Sequence, residues 1–217
     1  NFRDAQEFEF TVENGELFML QTRTAKRTAL ASLRMAVDQV DSGLINPEEA
    51  LGRLSGIDVD AITIRHVKSG KPPLGQAIPA GTGVAQGPAA FSVKAAQAFA
   101  ERGTPAILVR NDVATSDIAG IAVVSGVLTA SGGRTSHAAV VARQMGKVCL
   151  VGCADLRIDE STKQATLGQT RISEGDPLCL DGDAGTVYAD TPKITSERPE
   201  ALIARVKEWR ASVLVKQ

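Results

Sequence analysis

The chain has 217 residues, enough for one large domain or two small ones, and its 24 basic and 25 acidic residues nearly cancel. That balance argues against a nucleic-acid footprint and against an acidic membrane partner. Three cysteines, an odd number with no second Cys or His cluster, argue against a disulfide framework and against zinc and fit a reducing cytosol, hence a cytoplasmic protein.

No apolar run approaches the roughly 20 residues of a membrane helix, and no signal peptide opens the chain. It starts at Asn1 without a methionine and soon enters a strand pattern, as a segment of a longer protein would. Phe8, Phe10 and Val12 alternate with Glu9, Thr11 and Glu13, then Asn14-Gly15 leads into Leu17-Phe18-Met19-Leu20. Asn-Gly between apolar runs predicts a β-hairpin. An isolated hairpin is marginal in water, so this one is expected to belong to a sheet whose other strands are missing here.

From Ala25 the period lengthens. Leu30, Leu33, Val37 and Val40 trace a helical face that ends at Gly43. Asn46-Pro47-Glu48-Glu49 restarts a helix, with Asn46 as cap, proline in the first helical position and acids in the first turn. After Gly56 the pattern weakens, and Lys71-Pro72-Pro73 marks a boundary.

Leu74 to Ala189 reads as one mixed α/β domain. Ile78–Ala80 and Val84–Phe91 are expected strands around the turn Gly81-Thr82-Gly83, and Ser92 caps a helix to Glu101. Ala106–Arg110 is a buried strand, Ser116–Val123 a helix and Val127–Ala130 a strand. A helix beginning at His137 runs to Met145, and Val148–Val151 is the next strand. Alternating segments at Ala165–Leu167 and Leu178–Leu180 precede a hairpin through Asp181–Gly185, which closes the domain at Thr186–Tyr188. Ser196–Val215 is a helix with Leu202, Val206, Trp209 and Val213 on one side.

Chemistry concentrates in Gly132-Gly133-Arg134-Thr135-Ser136-His137. Thr135 and Ser136 can cap the following helix, whose free N–H groups and dipole suit a bound phosphate. A neutral imidazole at that place can attack a phosphoryl group, which makes His137 a candidate phosphate carrier. Arg134 and Arg143 can each face a phosphate or lie on the solvated side, and position favours Arg134. Ser136 beside His137 is not a hydrolase pair, since neighbours in sequence rarely aim at one another and no G-x-S-x-G elbow is present. His66 lacks any such context and reads as a surface or packing residue. Gly81-Thr82-Gly83-Val84-Ala85-Gln86-Gly87 reads as turn glycines rather than a dinucleotide fingerprint, because a strand and not a helix follows. Cys149 and Cys153 read as packed small apolar residues.

The run from Gly126 through GGRTSHAAVVARQMGK to Lys147 resembles the phosphohistidine motif of the pyruvate, phosphate dikinase family. Phosphoenolpyruvate (PEP) synthase and enzyme I of the sugar phosphotransferase system are relatives. The resemblance extends along essentially the whole chain: Glu9-Phe10-Thr11 and Leu20-Gln21-Thr22-Arg23 look like closing strands of an ATP-grasp domain, and Ala25-Lys26-Arg27-Thr28-Ala29 like the start of a helical linker. Arg134 stands where the dikinase usually has methionine, and Ala114-Thr115-Ser116-Asp117 where it has an acidic Pro-Glu-Asp loop.

The resemblance implies an ATP-grasp remnant over residues 1–24, a helical linker over 25–73, a swivelling phosphohistidine β/β/α domain over 74–190 and a linker helix over 191–217. It implies that His137 carries a phosphoryl group beside Gly132, Gly133, Arg134, Thr135 and Ser136. It also implies that Glu9, Gln21 and Arg23 touch nucleotide phosphates or their metal, and that Thr135 matches a threonine modified by regulatory kinases in plants. The complete enzyme would use Mg2+, ATP, phosphate and pyruvate or PEP, work with the rest of its ATP-grasp domain and a PEP/pyruvate-binding barrel, and be a homodimer. The fragment alone is expected to bind no metal and not to complete the reaction. A PEP synthase or enzyme I-type carrier is the alternative, and a docking module with a dispensable His137 is another.

Overall fold

The computed structural model describes residues 3–214; Asn1, Phe2 and 215–217, which end the first and last expected segments, lie outside the described residues. Strands β1 (Gln6–Glu13) and β2 (Glu16–Thr24) form the expected hairpin. Asn14 and Gly15 both have positive φ, 50° and 84°, as a tight two-residue connection requires. Helix α1 (Ala29–Asp41) starts later than the pattern from Ala25 predicts, because the Thr28 hydroxyl accepts the Ala31 amide and fixes the first turn there. Helix α2 (Pro47–Arg53) has the Asn46 cap, completed as a reciprocal capping box with Glu49. A 3-10 turn over Val59–Ala61 then leads into β3 (Ile64–Lys68), a strand absent from the expectation.

Next come β4 (Gly75–Gln76), β5 (Ile78–Gly81), β6 (Val84–Ala90), α3 (Val93–Glu101) and β7 (Ile107–Arg110). The helix expected from Ser116 is instead a 3-10 turn at Thr115–Asp117 followed by α4 (Ile118–Val123). Strand β8 (Gly126–Thr129), helix α5 (His137–Gln144) and strand β9 (Val148–Val151) follow as the spacing predicts. A three-stranded meander, β10 (Leu156–Asp159), β11 (Gln164–Leu167) and β12 (Thr170–Ser173), precedes the hairpin of β13 (Pro177–Asp181) and β14 (Thr186–Tyr188).

The eight-stranded sheet has the order β4-β14-β13-β6-β7-β8-β9-β5. Its two ends, β4 and β5, are separated in sequence only by Ala77, so the order returns on itself. Strands β6 to β9 are mutually parallel, and the remaining pairings are antiparallel. Side chains alternate across the parallel strands as a period of two demands. Ile107, Val109, Leu128 and Leu150 enter one core with β10–β14, while Leu108, Val127, Cys149 and Val151 enter another with α3, α4 and α5. The result is a mixed α/β unit with helices, parallel strands and antiparallel strands in successive layers.

Strand β15 (Lys193–Glu197) pairs with β3 in a separate ribbon, and helix α6 (Glu200–Leu214) follows. The helix expected from Ser196 therefore starts at Glu200, since Ser196 belongs to a strand whose partner is remote in sequence. The chain divides into two compact units, residues 1–64 with 197–217 and residues 65–196. In the first, Leu33, Val37, Ala50 and Leu54 pack with Ile203, Val206 and Trp209, so α6 shares a core with α1 and α2. Ile203, not assigned to the apolar face above, is among its most buried residues.

Candidate functional site

Parallel strands β7, β8 and β9 end on one edge of the sheet, and the segment from β8 to α5 runs along that edge. Parallel strands in α/β proteins commonly place ligands there, outside their carboxyl ends. The root of the segment is held from both sides. Ala130 N–H donates to Arg110 O, and Ser131 donates to Asn111 O through both its amide and its hydroxyl, 2.9 and 2.7 Å. Gly152 N–H donates to Ser131 O, and the buried Thr129 hydroxyl donates to the same carbonyl at 2.6 Å.

The tip then turns into α5. Gly132 has φ +96°, a region that side chains rarely adopt, and Ser136 N–H donates back to Gly133 O. Ser136 is the N-cap: its hydroxyl accepts the Ala139 amide at 3.4 Å. Thr135, also expected to cap, makes no cap bond, because the chain does not become helical until His137. His137 is thus the first helical residue, and it is exposed while Ala138 and Ala139 behind it are fully buried. The amides of His137 and Ala138 have no intrahelical carbonyl to reach, so the site is rich in free donors.

Arg134 is exposed, and the loop's hydrogen bonds use its carbonyl rather than its guanidinium. That carbonyl accepts Arg143 Nη2 at 2.8 Å, while Arg143 Nη1 reaches Ala80 O at 3.3 Å. The sequence pattern left Arg143 facing either a phosphate or solvent; it is exposed, and its guanidinium engages two backbone carbonyls. Beside the site, Arg110 donates to Phe91 O and lies 3.5 Å from the buried Asp117 carboxylate and 3.4 Å from Glu160. Asp117 in turn accepts the Ala114 amide, so this pair shapes the turn after β7. No local signal marked Arg110, Asn111, Thr129 or Ser131, whose roles depend on strands meeting in three dimensions.

Glu9, Gln21 and Arg23 belong to the other unit. Glu9 and Gln21 are direct cross-strand partners, while Arg23 faces Glu7 and donates to its carboxylate at 2.8 Å. By register the four share one face of the hairpin, and Glu9, Gln21 and Arg23 are exposed. Among the described residues no three His, Cys, Asp or Glu side chains converge as a metal site would need. Burial pushes the Cys149 thiol up to about 12 and the Cys179 thiol to about 11, so neither is a ready nucleophile.

Residues 103–185, from the end of α3 to the turn before β14, match the family model of the PEP-utilising enzyme mobile domain. The chain is 40% identical over 214 residues to a pyruvate, phosphate dikinase of Clostridium symbiosum, covering 96% of this chain and 24% of that protein. Residues 103–185 thus carry the PEP-utilising mobile domain, and the chain around them is similar to one stretch of the dikinases. A dikinase of Rickettsia felis is 42% identical over 190 residues, 87% of this chain and 22% of its own length. A chloroplastic dikinase of Flaveria pringlei is 40% identical over 193 residues, 86% of this chain and 20% of its own length. The chain therefore spans about a quarter or less of the length of the curated relatives it matches. Within it, the family match contains the whole segment from Gly132 to His137 and the strand ends that hold it.

Proposed function

We propose that this chain is the phosphohistidine-carrying portion of a pyruvate, phosphate dikinase. The observation that carries the reading is the exposed imidazole of His137 at the first position of α5, beside free helix amides and on the carboxyl edge of the parallel strands. An unprotonated ring nitrogen attacks the phosphorus of a bound donor, the new N–P bond forms as the P–O bond to the leaving group breaks, and first-turn amides hold the transferred oxygens. Arg134, exposed in the same turn, supplies positive charge near them.

In the complete enzyme, ATP and phosphate would load His137 with release of AMP and pyrophosphate, and pyruvate would take the group as PEP. Glu9, Gln21 and Arg23 would face the nucleotide phosphates from the hairpin, as the last part of an ATP-grasp domain. Glu9 suits one of the one or two carboxylates that magnesium takes when phosphates supply its other ligands. The metal, when bound, neutralises phosphate charge. The segments at Lys71-Pro72-Pro73 and Asp190-Thr191-Pro192 would let the carrier visit both the nucleotide domain and a PEP/pyruvate barrel. A homodimeric, cytoplasmic enzyme fits the reading; among the described residues no helix is long and apolar enough to cross a membrane, and all three cysteines are free.

Incubation with PEP and a barrel-bearing relative tests the proposal. Wild-type chain gains acid-labile, base-stable phosphate, and His137→Ala gains none. Equal labelling of the two overturns it, and phosphate passing on to a small carrier protein instead of pyruvate favours the enzyme I-type alternative.

A further inference from the structure

The root of the His137 loop is fastened by bonds to the ends of β7 and β9, but its tip is not. Between Gly133 and Ser136 the tip has one backbone bond of its own, Ser136 N–H to Gly133 O; Ser136 also bonds into the first turn of α5, and the side chain that reaches back onto the loop is Arg143, on the Arg134 carbonyl. Arg143 is also tied at its other nitrogen to Ala80 O. That carbonyl is available because the pairing of β5 with β9 slips between Pro79 and Gly81, leaving Ala80 at an irregularity in the ladder. Ala80 is itself buried, and Gly81 beside it lies so close to Lys147 O that a Cβ would stand 2.2 Å away. The anchor is therefore closely packed. Arg143 sits about two turns along α5 from His137, so helix, loop tip and β5 form a closed circuit through one guanidinium.

We infer that Arg143 is a positioning residue for the phosphoryl transfer: by holding the Arg134 carbonyl against the β5 bulge it sets the angle at which His137 meets its donor. The inference rests on the carrier reading of His137. Two nitrogens in a fixed planar fork reach two carbonyls on different segments, a task a lysine ammonium cannot duplicate. Misplacement of a reacting group by about 1 Å costs on the order of a hundred-fold in rate.

The test compares wild type, Arg143→Gln and Arg143→Lys in labelling of His137 from PEP through a barrel-bearing relative, alongside amide NMR spectra of the unlabelled chains. Arg143→Gln should label about ten- to a hundred-fold more slowly at saturating donor, with KM for the donor unchanged. Arg143→Lys should recover only part of the rate. In both, amides from Gly133 to Ser136 should shift while those of β13 and β14 stay in place. Wild-type rate with unmoved loop amides overturns the inference, as does a change confined to KM, which would mean that Arg143 binds the donor directly. An Arg143→Gln chain that loses its fold leaves the decision to Arg143→Lys by the same two readouts. If wild type itself takes no label, the carrier reading fails, while the loop amides still report separately whether Arg143 holds the tip.

Discussion

Gly132 and Ser136 face each other across the turn that delivers His137: a Cβ on Gly132 would stand 3.1 Å from both the Cβ and the Oγ of Ser136. The same glycine has φ +96°, so a side chain there meets backbone strain as well as the capping serine. Gly132→Ala should cost about 1–3 kcal/mol and displace the cap. A lowered urea midpoint together with slower phosphate labelling of His137 would match this expectation. An unchanged midpoint would show that the loop relaxes freely.

The Ser136 hydroxyl decides where α5 begins, since it satisfies the Ala139 amide. Ser136→Ala should lose about 1 kcal/mol and fray the first turn. Ser136→Asn and Ser136→Asp both keep a cap, but the carboxylate adds a negative charge beside the position a phosphoryl group would take. Labelling should therefore survive in Ser136→Asn and fall in Ser136→Asp, even though the two fold equally well. Equal labelling rates in the two capped variants would remove phosphate from this part of the loop.

Local signals were legible in the chain and long-range ones were not. The caps at Ser92, Asn46 and Ser136 form where the sequence places them, because each bonds within its own first turn. The Asn14-Gly15 hairpin forms for the same reason. Strands β3 and β15 were invisible, since Ile64–Lys68 and Lys193–Glu197 are strands only through a partner more than half the chain away. At the site, the glycine pair and His137 stood out by type and spacing. The role of Arg143 did not, because its partner at Ala80 arises from a slip in strand pairing.

Asp4 shows the same limit in the other unit. Its carboxylate accepts both terminal nitrogens of Arg27, at 2.7 and 2.6 Å, with Arg53 3.5 Å away, and it is four-fifths buried. The Arg27 hydrogen bond holds its pKa well below the ordinary 3.8. A lowered acid contributes stability that is present above its unfolded value and lost as the pH falls below 3.8 toward the folded one. Asp4→Asn should cost about 1.5–3 kcal/mol at neutral pH, with the gap to wild type closing as acid is added. Fluorescence of Trp209, the single tryptophan and buried in this unit, reads the urea midpoint directly. A gap that stays constant through the acid range would mean that the Asp4 charge is not what matters.

Cys149 lies beneath α5, its thiol 4.0 Å from the Ala138 carbonyl and wholly buried between β9 and that helix. Burial pushes its pKa up to about 12 against a partial lowering by the nearby Arg143 charge. At about pH 8 only on the order of one thiol in ten thousand is then ionised, and reagent cannot reach it without opening the layer. Native chain should leave Cys149 unmodified by iodoacetamide over hours, whereas all three cysteines should react promptly in denaturant. Because a raised thiol pKa favours the protonated form in the folded state, this contribution to stability should fade as pH rises above the unfolded value of about 8.5. Rapid native alkylation of Cys149 would mean that α5 lifts from the sheet, and a helix that lifts could not hold His137 at the fixed angle that the proposed transfer needs.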